Sequence, residues 1–229
     1  ICDGWALDVL ISDLCILYNA FNNNVSPDMK PVESYGSYIK QLNERRESDD
    51  FAESRKFWLN KYSDNKTILN LPTDAFRQDD RNIEAIRLDK KIDKQILTGL
   101  RQISKGAGCS FFATILSGLY AFFYRVSEQN GFVIGLPTAG QPVAGQNDLV
   151  GHCVNLIPFS IGIKDSQPFI DFLKNVQSSL FESYDHQEYT LIDLLKEMQP
   201  PIQSAKIPFA PIGLTSVKRY EQEELQCDG

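Results

Sequence analysis

Residues 131–163 read GFVIGLPTAGQPVAGQNDLVGHCVNLIPFSIGI, two apolar runs parted by a loop of Gly, Pro and Ala. Gly131 to Leu136 is a short uncharged run of the kind that fills a buried strand. Leu149 to Ile163 reads as a longer strand, because Val154, Leu156 and Ile161 favour β structure and Pro158 marks a bulge or an edge. Helical spacing lies on both sides of this pair. Before it, Ile92 to Ile103 is apolar at helix period with Asp93 near its start, and an uncharged helix occupies about 109–126. After it, Phe169, Phe172, Leu173, Val176, Leu180 and Phe181 make an amphipathic helix reaching Tyr184. A shorter helix, Leu191 to Met198, stops at Pro200-Pro201, and Ala210 to Val217 has strand composition. Ile83 to Leu88 alternates unevenly, as a strand. Strand, helix, helix, strand, strand, helix and strand give an α/β domain.

Nearer the N-terminus, Leu7, Leu10, Ile11, Leu14 and Leu17 recur at helical spacing over Trp5 to Ala20, with Asp3 as N-cap. Asn22-Asn23-Asn24 ends that helix, and a loop with Pro27 and Pro31 follows. Tyr35 to Tyr62 reads as one or two charged surface helices anchored by Tyr38, Phe51, Phe57 and Trp58. Leu71-Pro72-Thr73-Asp74 breaks the pattern. The chain is therefore expected to divide at 70–80, into 1–75 and 76–229.

Composition narrows the function. With 229 residues, 42% hydrophobic, the chain is long enough for a real core. A net charge of −7 argues against nucleic acid, which demands a basic footprint. It leaves a protein partner open, provided a local basic patch exists. The five cysteines are scattered without C-x-x-C pairing, so no metal site is expected and free thiols in a cytoplasmic protein are the plain reading. Gly106 to Tyr124 carries no charge, yet it is shorter than a membrane span and diluted by Gly, Ser and Thr, which fits a buried helix and no membrane.

Several phrases occur in a telling order. Asp3-Gly4-Trp5 resembles the end of the His-His-x-x-x-Asp-Gly-Trp motif of nonribosomal peptide synthetase condensation domains. Ser34-Tyr35-Gly36-Ser37-Tyr38-Ile39 is similar to that family's Tyr-x-Asp-Tyr-Ala, with Ser37 where Asp is usual. Phe57-Trp58-Leu59 with Leu71-Pro72-Thr73-Asp74 resembles the stretch before its second lobe. Gly135 to Gly140 with Val150 to Asn155 is similar to its GxPxAGR and VGxxVN pair, with Gln141 in place of Arg. His186-Gln187-Glu188-Tyr189 is similar to His-Gln-Asp-Tyr, and Ile207-Pro208-Phe209 stands where Asn-Pro-Leu-Phe is usual. The resemblance implies a two-lobed chloramphenicol-acetyltransferase-like fold, here the end of the first lobe plus most of the second. It implies an acyltransferase that joins a carrier-bound acyl thioester to a carrier-bound amine. The partners implied are carrier protein domains and an adjacent adenylation domain. No cofactor is implied on this chain itself, the phosphopantetheine arms belonging to the carriers. A free-standing acyl-CoA-dependent enzyme and a non-catalytic carrier-docking domain are the alternatives.

The resemblance places both motif histidines before residue 1, so the chain alone is expected to be inactive. An attacking amine must shed a proton near neutral pH, which suits an imidazole. The two histidines present, His152 and His186, do not offer that role. His152 adjoins Cys153, but successive strand residues face opposite ways, so the pair cannot form an activated thiol. His186 ends a helix, where the dipole favours a cation and a structural role. The candidate site residues are Asp3, Gly4 and Asn155. Asp3 reads either as a simple helix cap or, by the resemblance, as the residue that holds the catalytic loop, typically through an Arg. Gly4 would then permit the tight approach. Asn155 reads either as a donor to substrate or oxyanion, or as a strand-end amide that ties down a neighbouring turn.

Overall fold

The computed structural model of the chain describes residues 2–63, 69–73, 85–198 and 209–217. Its first five helices begin where short polar side chains satisfy the first free N–H groups. Asp3 caps α1 (Gly4–Asn22), Ser34 caps α2 (Tyr35–Arg45) and Ser48 caps α3 (Asp49–Tyr62). Asp93 caps α4 (Lys94–Ala107), and Ser110 caps α5 (Phe111–Ser127). Gly108 between the last two has φ of 66°, a left-handed conformation that suits Gly, and the chain bends there by 107°.

Residues 131–163 form most of the sheet. β1 (Val133–Ala139) leads through the short helix α6 (Gly140–Ala144) to β2 (Val154–Ser160). The two strands pair antiparallel from Val133 opposite Ser160 to Ala139 opposite Val154. β3 (Ile212–Gly213) adds in parallel to the other side of β1, giving the order β2-β1-β3. α7 (Phe169–Asp185) and α8 (Leu191–Met198) complete the order. Pro158 sits on β2, an edge strand, where its missing N–H costs no ladder bond on the open side. Its carbonyl accepts from the buried Tyr62 hydroxyl.

One buried cluster unites α3, α5, α7 and the sheet. Trp58 and Tyr62 pack with Tyr120, Phe132, Phe159, Leu173 and Val176, all nearly inaccessible. Tyr120 donates to the Phe159 carbonyl at 2.7 Å, so its polar end is satisfied inside the core. Trp58, Tyr62 and Leu69, which precede the expected division near 75, belong to this same cluster. The uncharged run of 106–124 is largely α5, and its Ala113, Leu116, Tyr120 and Phe123 are buried there, as the sequence suggested.

Several expectations need correction. The long strand is confined to Val154–Ser160, because 145–153 instead wraps as a loop against α1 and α2. Only Ile212–Gly213 of Ala210 to Val217 is a strand, and 85–88 forms none. Ile83, Pro200-Pro201 and Ile207-Pro208 lie outside the described residues. Gly140 to Ala144, read as loop, is a helical turn. Cys2, Cys109 and Cys153 are free thiols, with Cys153 alone buried, whereas Cys15 is disulfide-bonded. α1 differs most from a core helix. Only Ala6 and Ala20 are buried, while Leu14 is 65% and Phe21 81% exposed. By length and composition alone α1 is apolar enough to cross a membrane.

Candidate functional site

The site grows from Asp3. As N-cap its Oδ1 accepts from Ala6 N at 2.8 Å, fixing the first turn of α1. Its other oxygen accepts from Cys153 N at 2.8 Å, one residue before β2. The Gln141 amide, fully buried in α6, donates to Oδ2 at 3.1 Å and Oδ1 at 3.2 Å. Three segments remote in sequence therefore meet on one carboxylate. Burial pushes the Asp3 carboxyl up, but the bonds from Ala6, Cys153 and Gln141 together hold it below its ordinary value. The Gln141 Oε1 has no partner among the described residues. Trp5 reinforces the corner by donating from Nε1 to the Asn147 carbonyl at 2.8 Å.

Two glycines let α2 close over this corner. A Cβ on Gly140 would lie 2.4 Å from the Cys153 carbonyl oxygen and 2.5 Å from the Tyr38 hydroxyl. A Cβ on Gly151 would lie 2.4 Å from the Tyr35 ring. The Tyr35–Tyr38 pair thus seats on two Cβ-free patches, and the Tyr35 hydroxyl donates to the His152 carbonyl at 3.1 Å. Tyr38, Leu149 and Cys153 form a small buried cluster there. Burial pushes both the Tyr38 phenol and the Cys153 thiol up, so Cys153 is a neutral packing group and not a nucleophile.

Beside the corner opens a cavity of about 390 Å³. Gly140, Cys153 and Asn155 form its sheet-side wall, Tyr38 and Leu42 its helical wall, and Ile192 faces them from α8. The Asn155 amide nitrogen donates to the Gln187 carbonyl at 2.6 Å, while its oxygen accepts from Leu156 N at 2.8 Å. It thereby pins the 186–189 turn onto the end of β2. The same turn is held by Arg45, which donates to Glu188 Oε1 at 3.0 Å and to the Val143 carbonyl at 3.2 Å. Thr190 and Asp193 cap one another at the start of α8, and Arg46 donates to Asp193 at 3.1 Å.

The histidines part ways. His152 is exposed at the cavity rim. His186 stacks on Phe57 at 4.2 Å, its Nδ1 lies 3.1 Å from Ser54 Oγ, and its carbonyl accepts from Trp58 Nε1. It is held in place as structure. Among the described residues no group of three or more His, Cys, Asp or Glu is placed to hold a metal.

Asp3, Gly4 and Asn155 all border one assembly, Gly4 as the first residue of α1 and Asn155 on the cavity wall. Gln141 was no candidate from sequence, and its only signal was the position it occupies in the phrase Ala139-Gly140-Gln141. That Tyr35 and Tyr38 cover Gly151 and Gly140 depends on contacts more than 100 residues apart and had no local signal.

The family model of the Condensation domain matches residues 1–212. A plipastatin synthase protein of Bacillus subtilis (strain 168) is 26% identical over 229 residues, covering 100% of this chain and 6% of that protein. A linear gramicidin synthase protein of Brevibacillus parabrevis is 26% identical over 201 residues, 87% of this chain and 4% of its own length. Among solved structures, a four-domain nonribosomal peptide synthetase bound to AMP and glycine superposes with a TM-score of 0.81 at 23% identity, over 97% of this chain and 17% of that one. The first condensation domain of the calcium-dependent antibiotic synthetase, in complex with a substrate analogue, gives 0.77 at 17% identity. That match covers 96% of this chain and 49% of the antibiotic-synthetase domain, so the chain spans about half of such a domain and a few per cent of the synthases.

Proposed function

The chain belongs to the condensation-domain family, and on that premise we propose that its parent joins a carrier-bound acyl thioester to a carrier-bound amine. The observation that carries the reading is the Asp3 corner. Three phrases that resemble the family's motifs, at Asp3, Gln141 and Cys153, converge on one carboxylate beside a cavity large enough for part of a small substrate.

In this reading the residues act by placement. Asp3 fixes the first turn of α1 against Gln141 and Cys153, beside the cavity that Cys153 lines. Gly4 lets that turn pass closely. Asn155 shapes the wall by holding Gln187, which makes it a positioning residue. Attack of the amine nitrogen on the thioester carbonyl forms a C–N bond, breaks the C–S bond and releases the thiol, and the amine proton must pass to a base. Neither described histidine supplies that base, His186 being packed on Phe57 and His152 lying at the rim. The base therefore comes from the rest of the parent, and the chain alone forms no amide. The phosphopantetheine arms come with the carrier partners, in a cytoplasmic assembly that includes an adenylation domain. The apolar face of α1 leaves Leu14 and Phe21 exposed, available to a contact with the rest of the parent.

A crystal of the parent domain soaked with a stable aminoacyl-thioether analogue tests this. The proposal expects the analogue's chain against Gly140, Cys153 and Asn155. Binding at a site that touches none of these three sinks it.

A further inference from the structure

Asp3 carries a charge that its corner holds in place but does not cancel. The carboxylate is only 7% exposed, and its donors are the N–H groups of Ala6 and Cys153 and the Gln141 amide. All three are neutral, and among the described residues Asp3 forms no ion pair. The other end of the Gln141 amide, its buried Oε1, has no donor among the described residues and adds partial negative charge of its own. Neutral donors keep a carboxylate ionised without removing its field, and water screens a buried charge weakly.

The surrounding groups do not supply a counter-charge. α6 carries no titratable residue, and Asp8 on α1 is an exposed acid. On α2, burial keeps the Tyr38 phenol protonated, and Arg45 is committed to Glu188 and the Val143 carbonyl. Asp148, in the loop before β2, pairs with Lys30. His152 favours the Asp3 charge, but it is exposed to water. The field also reaches the cavity. Cys153 donates its N–H to the carboxylate and lines the cavity wall, so the charge lies one residue behind that wall. The Cys153 thiol registers it: burial pushes the thiol up, the Tyr38 hydroxyl pulls it down, and Asp3 adds to the rise.

We propose that Asp3 is an electrostatic positioning residue, whose buried charge stabilises the cation formed at the cavity when the amine passes its proton to the base. This rests on the amide-forming reading above, in which a neutral base gains that proton as the C–N bond forms and the C–S bond breaks. An anion beside the base strengthens its hold on a proton, so removing the charge lowers the pH at which the base becomes free to act. A residue that only capped α1 would change the melting temperature and leave that pH where it was.

The test uses the parent condensation domain as wild type, Asp3→Asn and Gln141→Lys. The first variant removes the charge and the second sets a cation against it, so either one decides the matter if circular dichroism shows that the other has not folded. The pH of half-maximal Cys153 alkylation by iodoacetamide, read by peptide mass spectrometry, reports the charge. The acid limb of the pH–rate profile for amide formation reports its reach. Both midpoints should move down by about one pH unit in each variant. An acid limb that stays in place or moves up in a folded variant overturns the proposal, whether or not Cys153 shifts, and leaves the functional reading standing. No amide from the wild-type parent overturns the functional reading and this proposal with it.

Discussion

Replacing Asp3 by Ala removes the one group on which α1, α6 and the start of β2 converge. Loss of an N-cap of this type costs about 1 kcal/mol. The Cys153 N–H and the Gln141 amide are then left buried without their acceptor, and an orphaned buried donor costs roughly 1–3 kcal/mol. These losses share one carboxylate and do not simply add, so about 2–4 kcal/mol is the working magnitude. For a domain of this size that is a fall in Tm of roughly 5–15 °C. Asp3→Asn should be milder. The new side chain still caps the helix, and Gln141 can turn its unpartnered Oε1 toward the new amide. The pH dependence is a second handle. The Asp3 carboxyl is held below its ordinary value, so its stabilisation is complete above the unfolded value near 3.8 and is lost as pH falls through the lower folded value. The gap between wild type and Asp3→Ala should therefore be widest at neutral pH and narrow below about pH 4. Thermal melts followed by circular dichroism at pH 7 and pH 3 measure both. Equal melting temperatures at pH 7, or a gap that stays constant down to pH 3, would refute the reasoning.

Gly140→Ala puts a Cβ 2.4 Å from a backbone carbonyl that cannot swing aside, so it should destabilise by roughly 1–3 kcal/mol or more, read as the denaturant midpoint. Gly151→Ala meets the Tyr35 ring instead, and the added change Tyr35→Ala should recover part of the loss in a double-mutant cycle. Trp58→Ala deletes a fully buried ring together with the bond to the His186 carbonyl, and should cost about 3–5 kcal/mol in the same assay. Asn155→Ala frees the 186–189 turn. In the parent it should lower kcat for amide formation while leaving the fold intact, measured by product formation beside a melt.

The helices were legible because their caps and periods are local. Asp93, the uncharged run of about 109–126 and the spacing from Phe169 to Phe181 place α4, α5 and α7 to within a few residues. The strand pair was legible in existence but not in extent. Residues 149–153 read as the start of a strand, yet they give up pairing to bind Asp3 and to receive Tyr35, contacts that only the folded chain supplies. The same holds at the site. Asp3 could be recognised as a cap from its neighbours alone. Its bond to Gln141 crosses 138 residues, and so has no local trace. Asn155 had two open readings, and its amide is engaged with Gln187 and Leu156.

The most direct test of the central claim is amide formation by the parent condensation domain, supplied with carrier-loaded donor and acceptor and followed by mass spectrometry of the released product. Wild type should form the amide, Asp3→Ala should do so roughly a hundredfold more slowly at a temperature where both are folded, and the 229-residue chain alone should form none. Amide formation by the isolated chain, or a parent rate untouched by Asp3→Ala, would contradict the account.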